Sequence, residues 1–279
     1  MMRFGISAAI LVFVFSLTAC ASFPKPTPPT TLPFAVSNHA VAVHHAQDSA
    51  QIYSFAGLKQ AKTWDAVTAE AFACDLGTST CHVLPPLPDG VGRLAATAQT
   101  IGQTIYIFGG YSVAQDGTEV STPEVWGFDI ATETYARMAD MPVPVDDTVS
   151  AVFQDRYIYL ISGWHKDNNV SDVQIYDTLK DEWTSATPFL GKPVFGHAGG
   201  ILGNIIAICD GVIIVPPSDA GKSRSFEGIS ACWRGDIAAD DRTKISWRQL
   251  PQLPGKGHYR MAATKWPERN AILFVGGSD

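Results

Sequence analysis

The sequence predicts an all-β fold made of one antiparallel sheet unit repeated along the chain, and three observations carry that expectation. Short apolar runs end in glycine at a nearly fixed period, each run follows another short strand and a turn, and the first three are followed by a strand that ends in Asp. Composition agrees: hydrophobic residues make up 46% of the 279 residues and charged residues only 17%, below the roughly 25% usual for soluble domains. That balance supplies ample core and excludes a disordered chain. The net charge of −7 comes with no basic run, so a surface that tracks phosphates, and hence a nucleic-acid partner, is not expected.

The period is read from five hexamers: Ile52 to Gly57 (IYSFAG), Ile105 to Gly110 (IYIFGG), Ile158 to Gly163 (IYLISG), Ile206 to Gly211 (IAICDG) and Ile272 to Gly277 (ILFVGG). Their final glycines lie 53, 53, 48 and 66 residues apart. Arg93-Leu-Ala-Ala-Thr-Ala and Arg260-Met-Ala-Ala-Thr-Lys are two nearly identical openings to such units, far apart in sequence. After each hexamer a variable loop leads to a strand such as Val125-Trp-Gly-Phe-Asp129 or Val173-Gln-Ile-Tyr-Asp177. An aromatic follows six residues later, at Tyr135 and Trp183, and a Pro-rich segment closes the unit.

This pattern over residues 37–279 resembles the kelch family: a diglycine after the second strand of each unit, an aromatic on the fourth, and a period near 50 residues. The resemblance implies a kelch-type β-propeller with about four complete four-stranded blades and a partial fifth, the hexamers forming second strands. A β-sandwich of similar hairpins is the competing all-β architecture. Three departures stand out: Ser162-Gly163 and Asp210-Gly211 replace diglycines, and Cys81 replaces the aromatic of the first unit. The last unit stops after two strands at Gly-Gly-Ser-Asp279, and because kelch propellers usually have six or seven blades, the expectation is a truncated product or fragment.

Ahead of the propeller, residues 1–20 read as a lipoprotein signal peptide. Arg3 precedes the apolar stretch Ile6 to Ser16, too short to span a bilayer, and Leu17-Thr18-Ala19-Cys20 resembles a lipobox, with Cys20 the lipidated residue. Residues 21–36 form a Pro-rich tether, with five prolines between 22 and 33. These features imply a bacterial cell-envelope protein, lipid-anchored on the periplasmic face of the outer membrane. Four cysteines then remain in an oxidising compartment. Of their three pairings the local one is favoured, because Cys74 and Cys81 flank a turn signal; Cys209 and Cys232 would form the second bridge.

Residues at the start of each first strand should ring one mouth of the propeller: His39, Arg93, Asp146 or Asp147, His197 and Arg260. Such convergent polar groups suit a ligand that meets several blades. Tyr111, Trp164 and His165 follow the second strands and border the same mouth, the Trp-His pair suiting a stacked sugar ring. No metal or cofactor motif accompanies them: His44-His45 lacks a third ligand, and Gly221-Lys222-Ser223 has Pro where a phosphate loop needs its first Gly. Three functions follow. The first is binding of a carbohydrate, sialic-acid-like or otherwise polyhydroxylated. The second is sugar mutarotase or epimerase activity, since a kelch repeat behind a signal peptide is similar to periplasmic sialic-acid mutarotases and more distantly to galactose oxidases; for the oxidase, no Tyr-Cys crosslink with His and Tyr ligands can be assembled. The third is a platform for an envelope protein.

Overall fold

The computed structural model describes residues 31–45, 49–217 and 223–278. The expected signal peptide with Cys20, and the expected tether as far as residue 30, lie outside them.

Period-2 patterning becomes five antiparallel sheets set around an axis. Blade one comprises Ala40–His45, Ala50–Lys59, Val67–Asp75 and Thr80–Leu84. Blade two comprises Thr97–Ile101, Thr104–Phe108, Val125–Asp129 and Thr134–Met138. Blade three is built of Val149–Phe153, Tyr157–Ile161, Val173–Asp177 and Glu182–Ser185. Blade four contains Ala198–Leu202, Ile205–Cys209, Cys232–Ile237 and Ile245–Leu250. Blade five contributes Ala262–Trp266 and Ala271–Val275. The first strands of successive blades lie side by side around the axis. The hexamers are second strands, as the repeat predicts. Where the tether ends, Val36–Ser37 pairs with Leu58 and Lys59, and Phe34 packs edge-on against Phe72 at 4.9 Å.

Aromatic pairs glue the blades. Phe128 and Tyr135 face each other across blade two and pack on Phe55 of blade one, with ring centroids 5.6 and 6.4 Å away. Tyr176 and Trp183 do the same against Phe108, at 5.8 and 5.9 Å. In blade one the equivalent cross-strand positions are Cys74 and Cys81, and a disulfide joins them where blades two and three place two rings. The second bridge, Cys209–Cys232, ties the second strand of blade four to its third.

Two features of the backbone recur in every unit. The residue pairs Ala56-Gly57, Gly109-Gly110, Ser162-Gly163, Asp210-Gly211 and Gly276-Gly277 all have positive φ. At the second position a Cβ would fall 2.6–2.8 Å from the start of that blade's own first strand, for example 2.6 Å from the Leu94 carbonyl oxygen at Gly110. Glycine is therefore favoured there by contact as well as by conformation. At the first position the demand varies by blade: a Cβ at Gly109 would lie 2.4 Å from the Val145 carbonyl oxygen, one at Gly276 would meet nothing within 4 Å, and Ala56, Ser162 and Asp210 adopt the left-handed backbone at a cost of about 1–2 kcal/mol.

The second feature is a collar at the axis. Asn38, Ala95, Asp147, Gly196 and Arg260 all sit left-handed just before their first strands, with φ between 46° and 61°. Each amide donates to the carbonyl of the preceding member: Ala95 to Asn38 (2.9 Å), Asp147 to Ala95 (3.1 Å), Gly196 to Asp147 (2.9 Å) and Arg260 to Gly196 (2.7 Å).

Candidate functional site

One residue before the collar, the chain pairs with the segment after the diglycine of the same blade: Leu94 with Tyr111, Asp146 with Trp164, Phe195 with Val212, Tyr259 with Ser278. In blades two to four that segment continues into a short hairpin, Tyr111–Val113 with Glu119–Ser121, Trp164–His165 with Asn168–Asn169, and Val212–Val215 with Ser225–Gly228. The hairpins stand as a rim around the collar. Between them lies a cleft of about 140 Å³.

Its walls are aromatic. Phe195 is central, with Trp164 at 5.5 Å, Tyr259 at 5.7 Å and Phe226 at 5.8 Å, all edge-on. Tyr111 closes the blade-two side, its hydroxyl pushed up to about 12 by burial and by the nearby carboxylates. Arg224 lies over the Trp164 ring at 4.7 Å and donates to the Asp167 carbonyl at 2.6 Å.

The polar groups are carboxylates. Asp146 is 3% exposed, and Ser121 Oγ donates to its Oδ2 at 2.7 Å. Burial, reinforced by Asp147 and Glu119 and opposed by the Ser121 hydroxyl and Arg260, pushes the Asp146 carboxyl up to about 7. Glu119, exposed, projects from the same hairpin as Ser121. Asp147 accepts from Arg260 Nε at 2.8 Å, from Nη2 at 2.6 Å and from the Tyr259 hydroxyl at 3.2 Å. Among the described residues no group of three or more His, Cys, Asp and Glu side chains is arranged to hold a metal ion.

The residues singled out from sequence fall in three registers rather than one ring. Asp147 and Arg260 are collar members and meet as an ion pair. His39 and His197 come one residue later and bond within the fold: His39 Nδ1 to Ser54 Oγ at 2.6 Å, and His197 Nε2 to the Ile161 carbonyl at 2.8 Å. Arg93 comes two residues before the collar, is 1% exposed, pairs with Asp89 and donates to Gly109 O and Thr122 Oγ1 at 3.4 Å. Trp164 lines the cleft, whereas His165 Nδ1 bonds the Pro144 carbonyl at 2.5 Å. Sequence reasoning missed Glu119, Ser121, Phe195, Arg224, Phe226 and Tyr259.

The comparisons agree with this architecture. The family described as KLHDC2/KLHL20/DRC7 Kelch-repeats domain matches residues 7–211, and the chain belongs to it. Kelch-like protein 15 of Gallus gallus is 28% identical over 148 residues, 48% of this chain and 30% of that protein. Kelch-like protein terF of Aspergillus terreus is 26% identical over 187 residues, 64% of this chain and 39% of that one. The chain thus spans well under half of these relatives. The solved structure of YjhT has a TM-score of 0.67 at 16% identity, covering 90% of this chain and 74% of that one, a likeness of fold.

Proposed function

We propose that the rim cleft binds a carbohydrate. The observation that carries this reading is the meeting, in one cleft of about 140 Å³, of the Trp164, Phe226 and Tyr259 rings with the Asp146, Ser121 and Glu119 oxygens. Aromatic faces take the apolar face of a sugar ring, and carboxylates and hydroxyls accept or donate to its hydroxyls. Catalysis is the extension: Asp146, near half protonation at neutral pH, can give a proton to a ring oxygen or take one from an anomeric hydroxyl, as mutarotation requires. Titration with neutral, acidic and amino sugars, with anomer exchange followed by NMR, tests both. Saturable binding that weakens about tenfold in Trp164→Ala supports the cleft, roughly the 1–3 kcal/mol of one stacking contact. Exchange above the buffer rate that disappears in Asp146→Asn supports an enzyme. No binding of any sugar ends the reading.

One observation favours a protein partner instead: Phe226 is 54% exposed at the edge of the cleft, on a member of a kelch family. Retained protein binding by a Trp164→Ala variant that has lost sugar binding would assign this surface to a partner. The proposal also includes a lipid anchor at Cys20 on the envelope, supported by Ile6 to Ser16 followed by Leu17-Thr18-Ala19-Cys20. Cys20→Ser is expected to abolish acyl labelling and membrane fractionation.

A further inference from the structure

The ligand's charge can be read from the cleft's own ion balance. Asp147 is matched by Arg260 in a two-point pair. Arg93, the other arginine expected at the mouth, is buried against Asp89. Arg224 is drawn to Asp167, whose carbonyl it bonds and whose carboxylate lies 4.0 Å away. Arg224 is the arginine that lines the cleft, and its Nη1 is taken by that carbonyl. The reverse holds for the carboxylates. Among the described residues neither Asp146 nor Glu119 forms an ion pair with a lysine or arginine, and both line the cleft. A carboxylate out of water without a counter-charge is costly, and the fold meets that cost by holding Asp146 partly protonated.

The walls suit a cation as well. Ring faces attract ammonium and guanidinium groups within about 6 Å. The rim already shows the preference internally, with Arg224 over Trp164 and Arg260 over Tyr259, both at 4.7 Å.

We infer that the cleft selects a cationic ligand, a sugar bearing a free amine whose ammonium sits between Asp146 and Glu119 while its ring lies on the aromatic wall. This inference rests on the carbohydrate reading and narrows it. It reverses the expectation of a sialic-acid-like sugar.

The test is calorimetric titration of the full chain at pH 7 and low salt with glucosamine, glucose, N-acetylglucosamine and N-acetylneuraminate. Glucosamine is expected to bind at least tenfold tighter than the other three. Tetramethylammonium chloride should compete where sodium chloride at equal ionic strength does not. Glu119→Gln, at an exposed position where folding is not at risk, and Asp146→Asn should each lower glucosamine affinity about tenfold, and by more than they lower that for glucose. A wild-type measurement avoids any folding defect. Tetramethylammonium does not titrate, so its affinity reports the protein groups facing it: Asp146, Glu119, Asp147, Arg260, Arg224, Tyr111 and Tyr259. It should rise about tenfold from pH 6 to pH 8 as Asp146 ionises. Equal affinity for glucosamine and glucose, or preference for N-acetylneuraminate, overturns the cationic ligand and leaves the carbohydrate site standing. Absence of binding by all four sugars overturns both.

Discussion

Collar and rim lie one residue apart around the same mouth, and they use the chain in opposite ways. The collar joins Asn38, Ala95, Asp147, Gly196 and Arg260, side chains with nothing in common, through one shared backbone conformation and a relay of amide-to-carbonyl bonds. The rim positions Leu94, Asp146, Phe195 and Tyr259 also share a backbone pattern, each pairing with the segment after its diglycine. Three of these four side chains line the cleft. The repeat therefore secures geometry at the collar, whose side chains differ from blade to blade, and exposes chemistry at the rim, where each blade contributes a different group. A ligand site on such a fold is asymmetric although its scaffold is periodic.

The largest effect is expected where side-chain volume would enter the collar. A Cβ at Gly110, at φ +85°, would lie 2.6 Å from the Leu94 carbonyl oxygen and 2.9 Å from the Ala96 amide, the two neighbours of collar member Ala95. Both are backbone atoms with no freedom to turn away. Gly110→Ala is expected to lose about 4 kcal/mol or more in denaturant unfolding. Gly102, at φ +59° with nothing within 4 Å of its Cβ position, should lose only about 1–2 kcal/mol when replaced by Ala. Equal losses would show that left-handed strain, and not close approach to the collar, fixes the second glycine.

What was legible in the sequence follows the same division. The five hexamers, their spacing and the cysteines declared blades, second strands and both disulfides, because apolar alternation and a contact-enforced glycine leave a residue-type signature. The collar left none. Four of its five members are not glycine, and a left-handed Ala95 or Arg260 is imposed by the amide relay rather than by its own preference. Matching mouth residues by charge therefore merged three registers. Arg93 and His197 illustrate the result: both are ionisable, both are near the mouth, and both are consumed by the fold. The cleft's remaining walls come from hairpins whose sequences do not repeat between blades, Glu119 and Ser121 in one and Arg224 and Phe226 in another.

The second effect tests the claim that His197 serves the fold. Burial pushes its imidazole down from 6.5 to about 4, against the Ile161 carbonyl bond that favours the charged form. The native state holds it neutral, with Nε2–H donating to Ile161 O, so below pH 6.5 the unfolded chain takes up the proton more readily. The stability it contributes is present above pH 6.5 and is lost as pH falls toward 4, about 3 kcal/mol in all. His39, also lowered by burial, adds in the same direction. Subtracting the profile of His197→Gln from wild type isolates the first contribution. A difference that does not change between pH 6.5 and 4 would return His197 to the list of ligand-facing groups.

The smallest effect carries the comparison to two adjacent residues, Asp146 on the rim and Asp147 in the collar. The Asp146 carboxyl is raised in the fold from 3.8 to about 7, first by burial and then by Asp147 and Glu119. A raised native value means the folded state holds the proton more tightly. The contribution is complete below pH 3.8 and is lost as pH rises through 7. Asp146→Asn cannot titrate, and its amide oxygen still accepts the Ser121 hydroxyl, so the variant should gain on wild type by about 2–3 kcal/mol between pH 5 and pH 8. Asp147→Asn should move the other way. It removes the charge that holds Arg260 and Tyr259, and should cost about 1–3 kcal/mol at neutral pH. Opposite signs at neighbouring aspartates would mean that the collar carboxylate stabilises the fold while the rim carboxylate strains it at neutral pH, as expected of a group placed to meet a ligand. Thermal unfolding of the two variants at pH 5 and pH 8 decides it, and matching signs would remove Asp146 from the site.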